Sequence, residues 1–170
     1  LTNAEAHGTG TALGDPIETS SLAAAVLRPK GESDPLLVLG SGKANAGHAE
    51  TAAGMTGLMK LLLELRYQQT SSNAQLRIAN PHVAGNLGGW RCATPTQHGG
   101  CSAIETDATG GVSSYGYSGT IVHAVLRGEK DAPRSIVSKC RFRRVAYWWH
   151  GESQAKLAEQ LRPQRVPSVE

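Results

Sequence analysis

Cysteine is scarce in this sequence and follows no pattern. Cys92, Cys101 and Cys140 are odd in number and lack C-x-x-C spacing. A secreted disulfide framework is therefore not expected; a reducing compartment is, either the cytoplasm or an organelle stroma. Apolar runs are short as well. None approaches the ~18 residues of a membrane span, and no charged-then-apolar leader opens the sequence, so no membrane span is expected. Nucleotide loops are missing: Gly8-Thr9-Gly10 lacks the third glycine of G-x-G-x-x-G, and no G-x-x-x-x-G-K-[ST] occurs. Gly116-Tyr117-Ser118-Gly119-Thr120 ends in Thr where a serine nucleophile elbow needs Gly. No H-E-x-x-H is present, and His48 with Glu50 alone makes no zinc site, so no metal is expected.

Glycine, by contrast, is abundant at 20 of 170 residues, which points to tight turns and to backbone lying close to a ligand. The length suits one ordinary core. Charge is uneven: residues 1–126 carry 7 basic and 9 acidic side chains, and residues 127–170 carry 10 and 5. The basic, aromatic cluster of Arg141, Phe142, Arg143, Arg144, Tyr147, Trp148 and Trp149 reads as a docked linker or solvated face. No nucleic-acid partner is expected, because no binding fold accompanies it. The sequence opens on Leu1 directly before a motif, so these residues are expected to be a piece of a larger protein.

Asp15-Pro16-Ile17-Glu18 reads as a helix start, with Asp15 capping, Pro16 at the first position and Glu18 as a capping-box partner. That helix is expected to end near Leu27, before Pro29. Residues 36–39 read as a short buried strand. Residues 49–66 carry the strongest helical pattern, with Met55 and Met59 assigned to the core. Residues 68–111 are the least readable. Residues 112–126 read as two strands around a turn at 115–120. Residues 129–139 look like a linker, and residues 153–161 fit a short amphipathic helix.

Three segments stand out chemically: Glu5-Ala6-His7-Gly8-Thr9-Gly10-Thr11 continuing to Gly14-Asp15-Pro16-Ile17-Glu18, Lys43-Ala44-Asn45-Ala46-Gly47-His48-Ala49-Glu50, and residues 111–120 followed by His123. His7 and His48 both sit among small residues that let a ligand approach. His48 precedes the long helix, whose N-terminal field keeps an imidazole neutral. Two readings of it stay open, a donor to developing negative charge or a helix-cap residue.

In this order and spacing the three segments resemble the second half of polyketide-synthase ketosynthase domains. Glu5 to Glu18 matches E-A-H-G-T-G-T…G-D-P-x-E. Lys43, Asn45, Gly47, His48 and Glu50 match K-S-N-x-G-H-x-E, and the pattern G-V-S-S-F-G-[FY]-[GS]-G-T-N-A-H is matched with conservative changes through Thr120 and again at His123, with Ile121 standing where Asn is usual. The resemblance covers about residues 1–128 and implies a thiolase-like α/β fold, layered αβαβα, of which this chain would supply the C-terminal half; residues 129–170 would be a linker or the start of an adjacent region.

It further implies decarboxylative Claisen condensation of an acyl-cysteine with a malonyl-type extender. His7 and His48 would be the catalytic histidines, and Lys43 would add positive charge and form an ion pair with Glu50, either as part of the catalytic machinery or only to shape the His48 loop. Thr9 and Thr11 would hold the phosphopantetheine arm, and Tyr115 and Tyr117 would line the acyl pocket or simply pack at the strand end. No cofactor is implied beyond the phosphopantetheine that carries the substrate. The implied partners are an acyl carrier protein, an upstream N-terminal half bearing the cysteine, and a second copy in a homodimer. None of the three cysteines has the family's D-T-A-C-S-S context, so none is assigned as nucleophile and the fragment alone is expected to be inactive. A non-condensing carrier-binding module and a structural docking segment are the alternatives.

Overall fold

Asn3–Glu5 forms β1, three residues that take the centre of the main sheet. The structure, a computed structural model, describes residues 1–27, 36–100 and 108–129. The expected linker beyond Glu129 and the expected helix at 153–161 therefore lie outside the described residues.

The remaining elements are α1 (Gly14–Ala25), β2 (Leu37–Gly40), α2 (Lys43–Ala46), a 3₁₀ turn (Glu50–Ala52), α3 (Ala53–Tyr67), β3 (Gln69–Thr70), α4 (Pro81–Leu87), β4 (Cys92–Ala93), β5 (Gly99–Gly100), β6 (Thr109–Tyr115) and β7 (Ile121–Arg127). The main sheet runs β4-β2-β1-β6-β7, and β3 pairs with β5 in a separate two-stranded ladder. Parallel pairing joins β1 to β2 (Ala4 opposite Leu39) and to β6 (Ala4 opposite Gly111), while β7 returns antiparallel beside β6.

Strand alternation divides the core between the two faces of this sheet. Ala4, Leu37 and Leu39 pack with Ala23 and Leu27 of the α1 segment, and Trp90 and Leu87 close the edge of that cluster. On the other face Val112 and Ala108 pack with Leu61 and Leu65 of α3. Asn3 and Glu5 lie on the α3 side too, so that face of β1 is polar where Ala4 on the opposite face is apolar. Gly110 lets α3 sit this close, since a Cβ there would stand 2.5 Å from Leu61 Cδ1.

Three strands follow the sequence closely. The expected strand at 36–39 is β2, and the expected strand pair at 112–126 is β6 and β7. Others need correction. Helix α1 begins at Gly14 after Leu13, and no side chain caps that position; Asp15 and Glu18 already lie inside the helix and point elsewhere. The segment expected as one helix from 49 opens with a 3₁₀ turn before α3. Met55 and Met59 are 61% and 52% exposed, not core. The helix is apolar on more than one face, and among the described residues the core cluster packs on the face carrying Leu61 and Leu65. In the stretch that resisted reading, Asn80 caps α4 by accepting the His82 N–H, with Pro81 at the first turn.

This division predicts two different mutational costs. Leu61→Ala, at a site with no solvent exposure, is expected to destabilise the chain by about 2–5 kcal/mol. Met59→Ala is expected to change stability by no more than about 0.5 kcal/mol. Denaturant unfolding of both variants of the 170-residue chain checks the assignment; equal losses would contradict it.

Candidate active site

The sheet carries its chemistry at the carboxyl ends of β1, β2 and β6, where the chain leaves the ladder. Ala6 still donates its N–H to the Gly40 carbonyl (2.8 Å), and His7 follows as the first residue free of the strand. The loop then turns through Gly8 at φ +49°, where an added Cβ would also meet Ser41 at 2.6 Å. Two acidic residues of α1 hold this loop from behind. The buried Glu18 carboxylate accepts the His7 N–H (2.7 Å) with one oxygen and the Gly8 N–H (2.9 Å) with the other. Asp15 Oδ1 accepts the Gly10 N–H at 3.1 Å. Both residues sit in the helix-start motif, yet their partners are the loop's amides and not the helix's own.

His7, His48 and Tyr115 form one ring cluster. The two imidazoles meet edge to face, 5.9 Å between centroids at 88°, and Tyr115 lies 5.0 Å from His7. Lys43 Nζ is 3.4 Å from His7 Nδ1, and the Tyr115 N–H approaches the same nitrogen at 3.3 Å. Both groups are donors, so Nδ1 is the acceptor and hydrogen-bond logic assigns the ring proton to Nε2. His48 obeys the same logic. Its Nδ1 accepts the Glu50 N–H at 2.9 Å, across the start of the 3₁₀ turn, which again leaves the proton on Nε2. His48 thus holds the first amide of a helical turn with Nδ1, and its Nε2–H takes no part in that contact.

Electrostatics favour the neutral ring at His7. Burial lowers its pKa from the ordinary histidine value, the Lys43 and His48 charges lower it further, and Asp15 opposes them. Burial also lowers Lys43, against the pull of Glu5 and Glu18. The expected Lys43–Glu50 pair is not formed. Among the described residues the ion pairs are Lys60–Glu5 and Lys60–Glu64, and Glu50 is exposed at φ +49° with its backbone turned to His48. Its contribution is an amide, not a carboxylate.

A cleft of about 480 Å³ opens beside the cluster, lined by Thr9, Lys43, His48, Asn73, Ile78 and Val83 among others. Thr9 faces it. Thr11 instead accepts the Gly14 N–H (3.1 Å) and lies 3.5 Å from the Thr9 hydroxyl. Tyr117 is fully exposed, while Tyr115 borders a smaller cavity of about 230 Å³ with Glu18 and His123. The β6–β7 turn is closed by the Gly116 N–H on the Thr120 carbonyl at 2.7 Å, and Ile121 opens β7 directly after it. Asn45, part of the second motif, holds the loop at 72–74 by donating to the Ser72 carbonyl (2.9 Å). Asn73, which sequence reasoning missed, accepts the Ser41 N–H (3.0 Å) and donates to the Leu39 and Pro95 carbonyls. No group of three or more metal-ligating side chains gathers among the described residues.

The family model of the beta-ketoacyl synthase C-terminal domain matches residues 2–77. Mycoketide-CoA synthase of Mycobacterium tuberculosis is 38% identical over 130 residues, covering 76% of this chain and 3% of that protein. Polyketide synthase PksL of Bacillus subtilis is 35% identical over 141 residues, covering 78% of this chain and 3% of that protein. Among solved structures, ketosynthase twelve of the bacillaene polyketide synthase of Bacillus amyloliquefaciens superposes with a TM-score of 0.68 at 32% identity. The match covers 77% of this chain and 23% of that one. The chain therefore spans a small part of its relatives.

The cluster predicts a pH dependence. Because the folded-state pKa of His7 lies below its unfolded value near ~6.5, the stability it contributes is full above that value and is lost as pH falls through the lower folded midpoint. NMR titration of the ring is expected to place the His7 midpoint below the ordinary histidine value. Lys43→Met is expected to move it upward. A His7 midpoint at or above the ordinary value would contradict the arrangement.

Proposed function

We propose that this chain, which carries the C-terminal portion of a polyketide-synthase ketosynthase of thiolase-like fold, supplies the decarboxylation half of a condensing site. Two imidazoles, each with Nδ1 occupied as an acceptor and Nε2–H left to donate, carry this reading. A malonyl-type thioester loses its carboxylate as carbon dioxide, and the electron pair stays on the α-carbon as an enolate. His7 and His48 donate to the thioester oxygen as negative charge develops there. Preorganised donors of this kind contribute about 3–4 kcal/mol each to transition-state stabilisation. The enolate carbon then attacks the carbonyl of an acyl-cysteine, and the cysteine thiolate leaves as the new carbon–carbon bond forms.

Lys43 adds positive charge beside His7 and disfavours the imidazolium, which keeps Nδ1 as the acceptor of the Tyr115 amide and Nε2–H as the donor. Glu50 contributes through its amide to His48. Thr9 faces the cleft and is assigned to the phosphopantetheine arm of an acyl carrier protein, with Thr11 holding Thr9 and the turn into α1. Tyr115 and Tyr117 flank the acyl side. The acyl-bearing cysteine belongs to an N-terminal ketosynthase segment. The exposed Met55, Met59, Leu62 and Leu63 of α3 give that segment an apolar face to cover. A homodimer of the complete domain and a cytoplasmic or stromal location belong to the same proposal.

The test joins this chain to an N-terminal ketosynthase segment that carries the cysteine, and follows acyl loading and condensation separately. His7→Ala and His48→Ala are each expected to leave loading intact and to slow condensation by about 10²–10³-fold. Normal condensation in either variant refutes the role of that histidine. Carrier binding without condensation in the unsubstituted protein would favour a non-condensing module.

A further inference from the structure

Outside the ring cluster, the described residues hold one buried charge array, and it touches the strand before His7, the turn before Lys43 and the helix after His48. Glu5 is 3% exposed. One of its oxygens accepts the Gly42 N–H at 2.5 Å, and the other meets Lys60 Nζ at 2.5 Å. Lys60 reaches on to Glu64 Oε1 at 3.0 Å. Glu64 in turn accepts the Ser71 N–H (3.0 Å) and hydroxyl (2.9 Å), and its second oxygen faces Asn3 Nδ2 at 3.4 Å.

These contacts fall at particular points in the chain. Glu5 stands two residues before His7, and Gly42 immediately precedes Lys43. Lys60 lies on α3, the helix that follows His48. One carboxylate thus joins the strand that delivers His7, the turn that delivers Lys43 and the helix whose N-terminal approach delivers His48. The packing leaves little slack: a Cβ at Gly42 would stand 3.2 Å from Glu5 Oε1, and one at Gly57 would stand 3.2 Å from Glu5 Cγ.

Stability alone is a poor reason for such an array. Removing charges from water offsets most of their attraction, and apolar side chains of similar volume serve stability as well or better. The opposite face of β1 does carry an alanine, Ala4, in an apolar cluster. What a buried ion pair adds is a fixed geometry, because any displacement strands a charge. We propose that Glu5 and Lys60 are positioning residues, a buried brace that sets the spacing of His7, Lys43 and His48.

Two further observations agree. Burial alone would lower the Lys60 pKa, yet Glu5 and Glu64 outweigh it and hold the ammonium above the ordinary lysine value. Burial raises the Glu5 carboxyl, against the pull of Lys60 and the Gly42 amide, so its charge depends on both contacts being kept. The catalytic meaning of this brace rests on the condensing reading above; its structural effect does not.

The test therefore reads structure and activity separately. Glu5→Gln and Lys60→Met are each expected to lower the melting temperature, and the double variant to recover much of the loss because no charge is left unpaired. In the double variant of the 170-residue chain, the His7 titration midpoint is expected to rise toward the ordinary value as Lys43 shifts away. The NMR ring-proton contact between His7 and His48 is expected to weaken. Joined to an N-terminal ketosynthase segment, the same variant is expected to load acyl groups normally and to condense at least about tenfold more slowly, and Lys60→Arg alone to retain the wild-type midpoint.

A double variant that keeps both the His7 midpoint and the ring contact overturns the proposal and reduces the pair to a stability element. If the double variant does not fold, Glu5→Asp decides instead, since it keeps the charge but shortens the reach by one methylene. A raised midpoint there supports the brace, and an unmoved one overturns it. If the unsubstituted joined protein does not condense while the midpoint still moves, the condensing reading fails and the brace stands.

Discussion

Parallel pairing of β1 on both edges is the constraint from which the site follows. A three-residue strand between β2 and β6 has its backbone groups committed on both sides, so its direction and register are not free to vary. Everything that leaves its carboxyl end leaves at one place. His7 emerges there, the turn after β2 brings Lys43 to the same level, and the end of β6 brings the Tyr115 amide. This is the general geometry of open parallel sheets, in which ligands bind beyond the carboxyl ends of the strands. Here the loops after β1 and β2 are glycine-rich, so the backbone itself forms part of the wall.

The imidazoles gain their chemical character from backbone donors more than from charged neighbours. In each ring an amide N–H occupies Nδ1, from Tyr115 for His7 and from Glu50 for His48. An amide cannot lose its proton near neutral pH, so it fixes which ring nitrogen donates without adding a titratable group to the pair. Lys43 then works in the same direction, since a cation beside Nδ1 makes a second positive charge on the ring costly. A carboxylate at that position would stabilise the imidazolium. The carboxylates near the site are used differently: Glu18 is taken up by the His7 and Gly8 amides, and Glu5 by Gly42 and Lys60.

Much of the sheet and both histidines were legible in the sequence, because each depends on local pattern. Residues 36–39 and 112–126 announced β2, β6 and β7 by apolar runs and a glycine turn. His7 and His48 stood out because glycines surround them. What could not be read was direction. Glu18 and Asp15 have the spacing of helix-capping residues, and nothing local reveals that their carboxylates turn back to the preceding loop. Glu5, Lys60 and Glu64 are 55 and 4 residues apart in sequence, and a lysine with a glutamate at i+4 reads as a solvated helix face. Their burial depends on β1 lying under α3, which is a tertiary fact. The Lys43–Glu50 pairing failed for a related reason: proximity in sequence suggested a contact that the turn at Gly47 and the left-handed Glu50 do not permit.

Helix α3 shows most plainly why periodicity has this limit. Its pattern is apolar on several faces, so the sequence alone allows the core to be drawn on any of them. The fold chooses the face with Leu61 and Leu65, where Gly110 and Gly57 let the helix press against the sheet, and it threads the Glu5–Lys60 contact beside that face. The face with Met55, Met59, Leu62 and Leu63 stays open. Burying such side chains is worth about 1.5–3 kcal/mol each, so an open stripe of four leaves a large stabilisation unrealised. On the proposed reading, the segment that brings the acyl-cysteine to His48 must approach along this same helix. Covering the stripe and completing the chemistry then become one event, and the helix that carries the buried charge array also carries the surface on which the second half of the site is assembled.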